Sequence, residues 1–347
     1  LKQPLLAATL RRVAKAGAKD FYAGALADEI VADVAANDGW ITLRDLEKFP
    51  EPEVVPAIRS SYRGSDVETL PPPFGGWVVL QILNVLELAD PKALGSDDDA
   101  RRLALLDALR IGHGERRSDP VTNYRNYAEL IERRTSKSEA RRLLDALHSA
   151  TGGETTHFSV VDADGTAVAV TQSIDSYFGA KVAHPTLGFL YNNYMQGFQV
   201  EDPAAPYYLA ENVMPLSSMS ATIVSRDARP ELVLGSPGSA RIISSVAQVT
   251  SHWVDVSTGI EEAVAAFRVH VVPQDKAYVE GGELSPALLL GMAQRGLTLK
   301  RPTYGVSGNQ LDPYFGGIHA LSFENGRWTG AADPRRDGEV KEALRSN

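Results

Sequence analysis

Apolar residues recur at three- and four-residue spacing over residues 5–13 and again over 22–34, the period of helices with one buried face. The pattern predicts two amphipathic helices there, and Thr42-Leu43-Arg44-Asp45 fits a capping box that opens a short third. Residues 54–58 and 62–70 read as paired strands, stopped by Pro71-Pro72-Pro73, whose fixed φ and missing N–H cannot continue a ladder. Gly75-Gly76 then releases the chain into an apolar helix over 77–88. Ser96-Asp97-Asp98-Asp99 sets a cap and carboxylates at the head of a helix running to about Ile111, where the helix dipole favours negative charge. Residues 132–150 are charged, Arg-rich and helical in pattern, as in a solvated helix.

After Thr155 the period shortens. Strands are predicted at 156–161, 167–173, 189–191, 221–224 and 232–235. Residues 239–254 have the spacing of a buried helix, and shorter helices follow near 261–267 and 286–294. A block of strands with helices before and after it predicts an α+β fold in which helices cover both of two stacked sheets. No internal repeat or low-complexity segment interrupts it.

Composition narrows the partners. The 347 residues suffice for a large core, in two or three domains or one large one. Net charge is −9, and the 35 basic residues form no stripe, which argues against a nucleic-acid partner. The absence of cysteine removes disulfides, thiolate metal sites and a Cys nucleophile together. No run approaches the roughly 18 apolar residues of a membrane span, and Leu1-Lys2-Gln3-Pro4 is not a signal peptide. The choice between a cytoplasmic and a secreted protein stays open. The three adjacent acids point in different directions along a helix, the 7 histidines are scattered, and there is no nucleophile elbow, zinc helix or Walker loop. No cofactor and no metal are expected.

The informative stretch is Gly152-Gly153-Glu154-Thr155-Thr156-His157-Phe158-Ser159-Val160-Val161-Asp162, a Gly pair running into a strand that ends in the hairpin turn Asp162-Ala163-Asp164-Gly165. Thr155 stands at the mouth of that strand. Cleavage between Glu154 and Thr155 would give it a hydroxyl and a free α-amine, a nucleophile carrying its own base. A free α-amine has an unperturbed pKa of about 7.7–8.0, suited to accepting the hydroxyl proton. Read on its own, Thr-Thr-His fits the polar edge of a strand better than a nucleophile, since Thr is a good strand residue.

Thr155 to Asp162 resembles the start of the small subunit in the γ-glutamyltransferase family, N-terminal nucleophile hydrolases made by self-cleavage before the first Thr. Further blocks match in the same order: Phe21-Tyr22-Ala23-Gly24, Asp45-Leu46 and Pro71-Pro72-Pro73-Phe74-Gly75-Gly76 upstream; Leu190-Tyr191-Asn192-Asn193, Pro215-Leu216-Ser217-Ser218-Met219, Gly235-Ser236-Pro237-Gly238 and Asp333-Pro334-Arg335 downstream. The resemblance implies a four-layer αββα sandwich. Residues 1–154 would be the later part of the large subunit, with an upstream part expected outside this sequence, and 155–347 the small subunit. Both would come from one precursor and together form one domain acting on a small-molecule substrate. The charged segment before Thr155 would be the large subunit's mobile tail.

The same resemblance assigns roles. Thr155 would be the nucleophile in self-cleavage at Glu154 and in turnover, and Ser173 would support it through a hydroxyl where the family has Thr. His157 would brace the site without acting as base. Gly238 would supply an oxyanion-hole N–H, and Ser239, where a second Gly is usual, another, provided its backbone angles suit a residue with a Cβ. Ser217 and Ser218 would hydrogen-bond the substrate's α-carboxylate, while Arg116 and Arg117 fall in a block expected to be structural. Three positions depart from the pattern. Asp175, Tyr194 and Gly197 replace the Asn, Gln and Asp that hold a glutamyl group, and the loop from Phe198 to Pro215 is shorter than in members with a lid. An ammonium stripped of water and left without its acid costs several kcal/mol. These departures predict a non-standard acyl substrate, cleaved at an amide or, as in a biosynthetic branch, at a C–C bond. The alternatives are a true γ-glutamyltransferase or glutathione hydrolase, and an uncleaved binding or scaffold homologue.

Overall fold

The computed structural model describes residues 2–96, 98–123, 125–144, 154–302 and 311–342. It divides into two compact units, Leu1–Pro56 with Ile174–Tyr194, and Ala57–Ser173 with Met195–Asn347, so each unit holds residues from both sides of the 154/155 boundary.

The smaller unit contains α1 (Pro4–Ala16), α2 (Ala18–Ala23), α3 (Ala25–Ala36) and α4 (Leu43–Glu47). The single helix expected over 22–34 is broken at Gly24, whose N–H still reaches the Asp20 carbonyl and where a Cβ would come within 2.5 Å of the Asp20 carboxylate. The capping box forms as expected: the Thr42 N–H donates to Asp45 Oδ2 at 2.8 Å, and the Asp45 N–H to Thr42 Oγ1 at 3.3 Å. Leu26, Ile30 and Leu187 form the buried centre, with Phe21, Phe189 and Tyr191 packed around it. The strand expected at 189–191 is only an isolated bridge between Ala183 and Leu190.

The larger unit begins with the hairpin β1 (Ile58–Tyr62) and β2 (Ser65–Thr69). Its turn residues Arg63 and Gly64 have φ of 50° and 81°, the left-handed pair that matches strand twist, so the expected strand over 62–70 is cut there. Next come α5 (Gly76–Leu86), buried throughout, α6 (Pro91–Leu94) and α7 (Asp99–Ser118). The cap of α7 is Asp98, accepting from the Ala100 and Arg101 N–H groups, and Ser96 donates to that Asp instead of capping the helix itself; Asp97 lies outside the described residues. The predicted helix over 132–150 is two helices, α8 (Ala128–Arg134) and α9 (Lys137–Leu144), and its remainder also lies outside them.

The strands β3 (Glu154–Val161) and β4 (Ala167–Asp175) make a two-stranded sheet, and β5 (Thr222–Arg226) and β6 (Arg229–Gly235) follow. Beyond them lie α10 (Arg241–Ser251), α11 (Ile260–Ala265), β7 (Val269–Val272), β8 (Lys276–Val279), α12 (Pro286–Gln294), β9 (Thr298–Lys300), β10 (His319–Glu324) and β11 (Arg327–Ala332). Six strands form one antiparallel sheet in the order β1-β2-β5-β6-β10-β11, and β7-β8-β9 form a third sheet. Helices α5 and α10 pack on one face of the large sheet, and β3 packs against β6 and β10. Alternation along β3 buries His157 and turns Phe158 and Val160 outward. No described helix is long and apolar enough to cross a membrane.

Candidate active site

Thr155 is the second residue of β3 and is partly buried. Its Oγ1 donates to Ser173 Oγ on β4 at 3.4 Å, a loose contact of the kind that tightens when a reacting group arrives. Two residues on, His157 pairs with Thr171 at 2.8 Å through Nδ1 and with Ser159 at 3.0 Å through Nε2. The pairs 155/173 and 157/171 step in opposite directions along the two strands, as in an antiparallel ladder. The His157 ring lies against Gly235, where a Cβ would sit 2.2 Å from Nδ1, so this Gly lets the hairpin seat on β6. Both imidazole nitrogens are occupied, and burial pushes the ring's pKa down to about 3. The ring is thus neutral and bonded at both nitrogens, as expected of a residue that braces the strand.

From Gly235 the chain enters a turn built for close backbone approach. Ser236 Oγ donates to the Pro237 carbonyl at 2.6 Å and accepts from the Gly317 N–H at 3.1 Å. Gly238 has φ 125°, and a Cβ there would come 2.8 Å from Gly316 Cα, so no side chain fits. Ser239 is left-handed too, at φ 68°, and its buried hydroxyl has no partner among the described residues. The N–H groups of Gly238 and Ser239 likewise donate to no described acceptor. Two amides left unused at a helix entrance are what an oxyanion requires.

Ser217 and Ser218 are held by the Pro-Pro-Pro-Phe-Gly-Gly segment. The Ser217 N–H donates to the Pro73 carbonyl at 3.3 Å and the Gly75 N–H to the Met219 carbonyl at 2.9 Å. A Cβ on Gly75 would meet both the Ser218 carbonyl and Ile243 of α10. Ile243 stands two residues into the helix that follows the Gly238 turn, so one packed side chain links the serine pair to that turn. Beneath the serines lies Arg116 of α7. Its Nη1 donates to Ser218 Oγ and its Nη2 to the Ser217 carbonyl, both at 2.9 Å. Burial lowers this guanidinium's pKa to about 10, which still leaves it charged at neutral pH. Sequence reasoning placed Arg116 among structural residues and missed this contact. The available signal was helical phase: Leu109, His113 and Arg116 share the buried face of α7, whereas Arg117 is exposed.

Thr155, Ser173, Ser217, Ser218, Gly238 and Ser239 all belong to the larger unit, and Asp175 and Tyr194 to the smaller. Asp175 ends β4 with φ 71° and accepts from Ser176 Oγ at 3.4 Å. The Tyr194 N–H donates to Asn192 Oδ1 at 3.0 Å, and Asn193 closes the neighbouring loop by bonding Ser176. Of the segment expected to be the mobile tail, residues 132–144 lie in and between α8 and α9, with Arg134, Ala140 and Leu143 buried, and 145–153 lie outside the described residues; Glu154 opens β3.

Comparison with known proteins bears on the fold and the family. The crystal structure of a cephalosporin acylase from Bacillus halodurans matches with a TM-score of 0.78 over 98% of this chain and 62% of its own, at 22% identity. The fold is therefore the N-terminal nucleophile hydrolase sandwich expected above. The glutathione hydrolase proenzyme of Escherichia coli (strain K12) is 32% identical over 364 residues, covering 96% of this chain and 60% of that protein. The acylase ACY 1 proenzyme of Pseudomonas sp. (strain V22) is 34% identical over 350 residues, again 96% and 60%. The chain spans about 60% of the length of these curated relatives. The gamma-glutamyltranspeptidase family model matches residues 1–343, and the chain belongs to that family.

Proposed function

We propose that the chain carries the active centre of a self-cleaving N-terminal threonine hydrolase that cleaves an amide whose acyl group is not an ordinary γ-glutamyl group. In maturation, Thr155 Oγ1 attacks the Glu154 carbonyl carbon. The peptide nitrogen leaves as the α-amine of Thr155, and the acyl group passes to oxygen. Water hydrolyses that ester, releasing a Glu154 carboxylate and completing two subunits from one precursor. In turnover the freed amine takes the hydroxyl proton as Oγ1 attacks the substrate carbonyl, then returns it to the leaving amine; water hydrolyses the Thr ester. Ser173 orients Oγ1, the Gly238 and Ser239 N–H groups take the oxyanion, and Ser217 and Ser218 bond a substrate carboxylate.

The observation that carries this reading is that Thr155 pairs with Ser173 on a strand seated through His157 on Gly235, three residues before two unspent backbone donors. Asp175 and Tyr194, which replace amide side chains, and Gly197, which replaces an acid, favour an acyl group other than γ-glutamyl. The acylase relative supports that choice, and the glutathione hydrolase relative supports a second reading in which γ-glutamyl amides are the substrates. Denaturing mass spectrometry of the wild type should show a new N-terminus at Thr155, absent from Thr155→Ala, which should also lose all turnover. A Thr155→Ala protein with full activity would end the proposal. Brisk release of nitroaniline from γ-glutamyl-p-nitroanilide would select the second reading.

A further inference from the structure

Arg116 is buried, 5% exposed, and among the described residues it makes no ion pair. Its Nε is buried without a partner as well. A desolvated cation with no counter-ion is expensive, costing several kcal/mol, and such a charge is ordinarily paired. Here the guanidinium spends both terminal nitrogens on one short segment, the Ser217 carbonyl and the Ser218 hydroxyl.

The second of these bonds has a directional consequence. Ser218 Oγ accepts from a group that can only donate, so its single proton is left for another acceptor. No described residue takes that proton, and Ser218 is only partly buried, with its backbone carbonyl already engaged by Ser220 Oγ at 2.8 Å. The hydroxyl is therefore a fixed donor, polarised by a positive charge, on a residue that is only partly buried. The ligand that completes it is an anionic oxygen, which supplies both the missing acceptor and the missing counter-charge.

We propose that Arg116 is a positioning and specificity-determining residue, which acts through Ser218 to make this subsite select a carboxylate-bearing acyl group over its neutral counterpart. The inference rests on the reading that Ser217 and Ser218 face the substrate and adds the residue that sets their polarity. Arg116 itself stays behind the serines.

Calorimetric titration of the mature protein with glutarate and with glutaramide, at low salt, tests it without requiring turnover. One charge-assisted hydrogen bond is worth about 1.5–3 kcal/mol, so the wild type should prefer glutarate by roughly ten-fold or more. Arg116→Met, which keeps the bulk of the side chain without its charge, should erase the preference, with folding checked by circular dichroism. If the Met variant does not fold, Arg116→Gln, which retains hydrogen-bond donors but no charge, makes the same comparison. Arg116→Lys should retain part of the preference, and Ser218→Ala should lose it. Loss in Ser218→Ala but not in the neutral Arg116 variants would overturn the role of Arg116 and leave the serine reading intact. An unchanged preference in both Ser217→Ala and Ser218→Ala, or none in the wild type, would overturn the serine reading and this inference with it.

Discussion

Ser239 shows how one position records its own conflict. The family pattern has Gly there, and the backbone shows why, since φ 68° is a region that side chains enter at a cost on the order of 1 kcal/mol. The buried hydroxyl, without a partner, adds about 1–3 kcal/mol. Glycine would give back about 0.5–1 kcal/mol through the freedom of the unfolded chain, less than the sum it relieves. Ser239→Gly is thus expected to stabilise the protein by about 1 kcal/mol, read as a higher urea midpoint, with self-cleavage intact because the N–H remains. A lowered midpoint would mean that the hydroxyl holds a partner. Thr155 and Ser239 were both legible in the sequence because motif order marked them. Arg116 was not, because it falls in a block that reads as structural beyond a helix expected to end near Ile111, whereas the helix runs to Ser118 and its phase buries Arg116.

At the scale of elements, two of the junctions around the site are made by uncharged histidines. His157 seats the β3–β4 hairpin on β6, while His113 of α7 and His270 of β7 both bond Ser244 of α10, at 2.8 and 2.7 Å. Burial lowers His113, like His157, to about 3 and takes His270 well below its ordinary value. Unfolded, each would titrate near 6.5. Between those values the unfolded chain binds protons that the folded chain refuses, so stability is fully present above about pH 6.5 and falls as pH drops toward 3. Each histidine contributes a limiting slope of about 1.4 kcal/mol per pH unit. Urea midpoints at pH 7.5, 6.5 and 5.5 should decline increasingly steeply, and His157→Gln should remove one proton's share of the slope. A flat profile would contradict the buried, neutral assignment.

At the scale of the molecule, residues near the end of the chain secure the turn that carries the proposed oxyanion donors. Arg335 pairs with Glu280 and Asp333, and Asp333 with Arg268, all buried. Glu280 accepts from the Asp312 N–H and Arg268 donates to the Phe315 carbonyl, fixing the loop whose Gly316 presses on Gly238. Removing one partner from such a network costs about 3–5 kcal/mol, because the other charge is left buried. Glu280→Gln should lower unfolding free energy by that order in urea titrations and slow self-cleavage as the turn loosens. An unchanged midpoint would show that the network is not a brace.

Although the strands expected over 54–58 and 189–191 do not form there and the helices expected over 22–34 and 132–150 are broken, the sequence by itself determined the strands β3 to β6, the capping box, the hairpin at Thr155 and the order of the family's blocks. These are local properties, written in spacing and turn chemistry. It did not disclose β7 to β11, since runs such as Arg327-Trp328-Thr329-Gly330-Ala331-Ala332 alternate too weakly to declare a strand before a neighbour pairs with them. Only the tertiary structure decided which polar groups would be left unspent: the amides of the Gly238 turn, the Ser218 proton, the charge of Arg116. Periodicity records that a face is buried, whereas the partner that satisfies or fails to satisfy a buried group comes from a distant part of the chain.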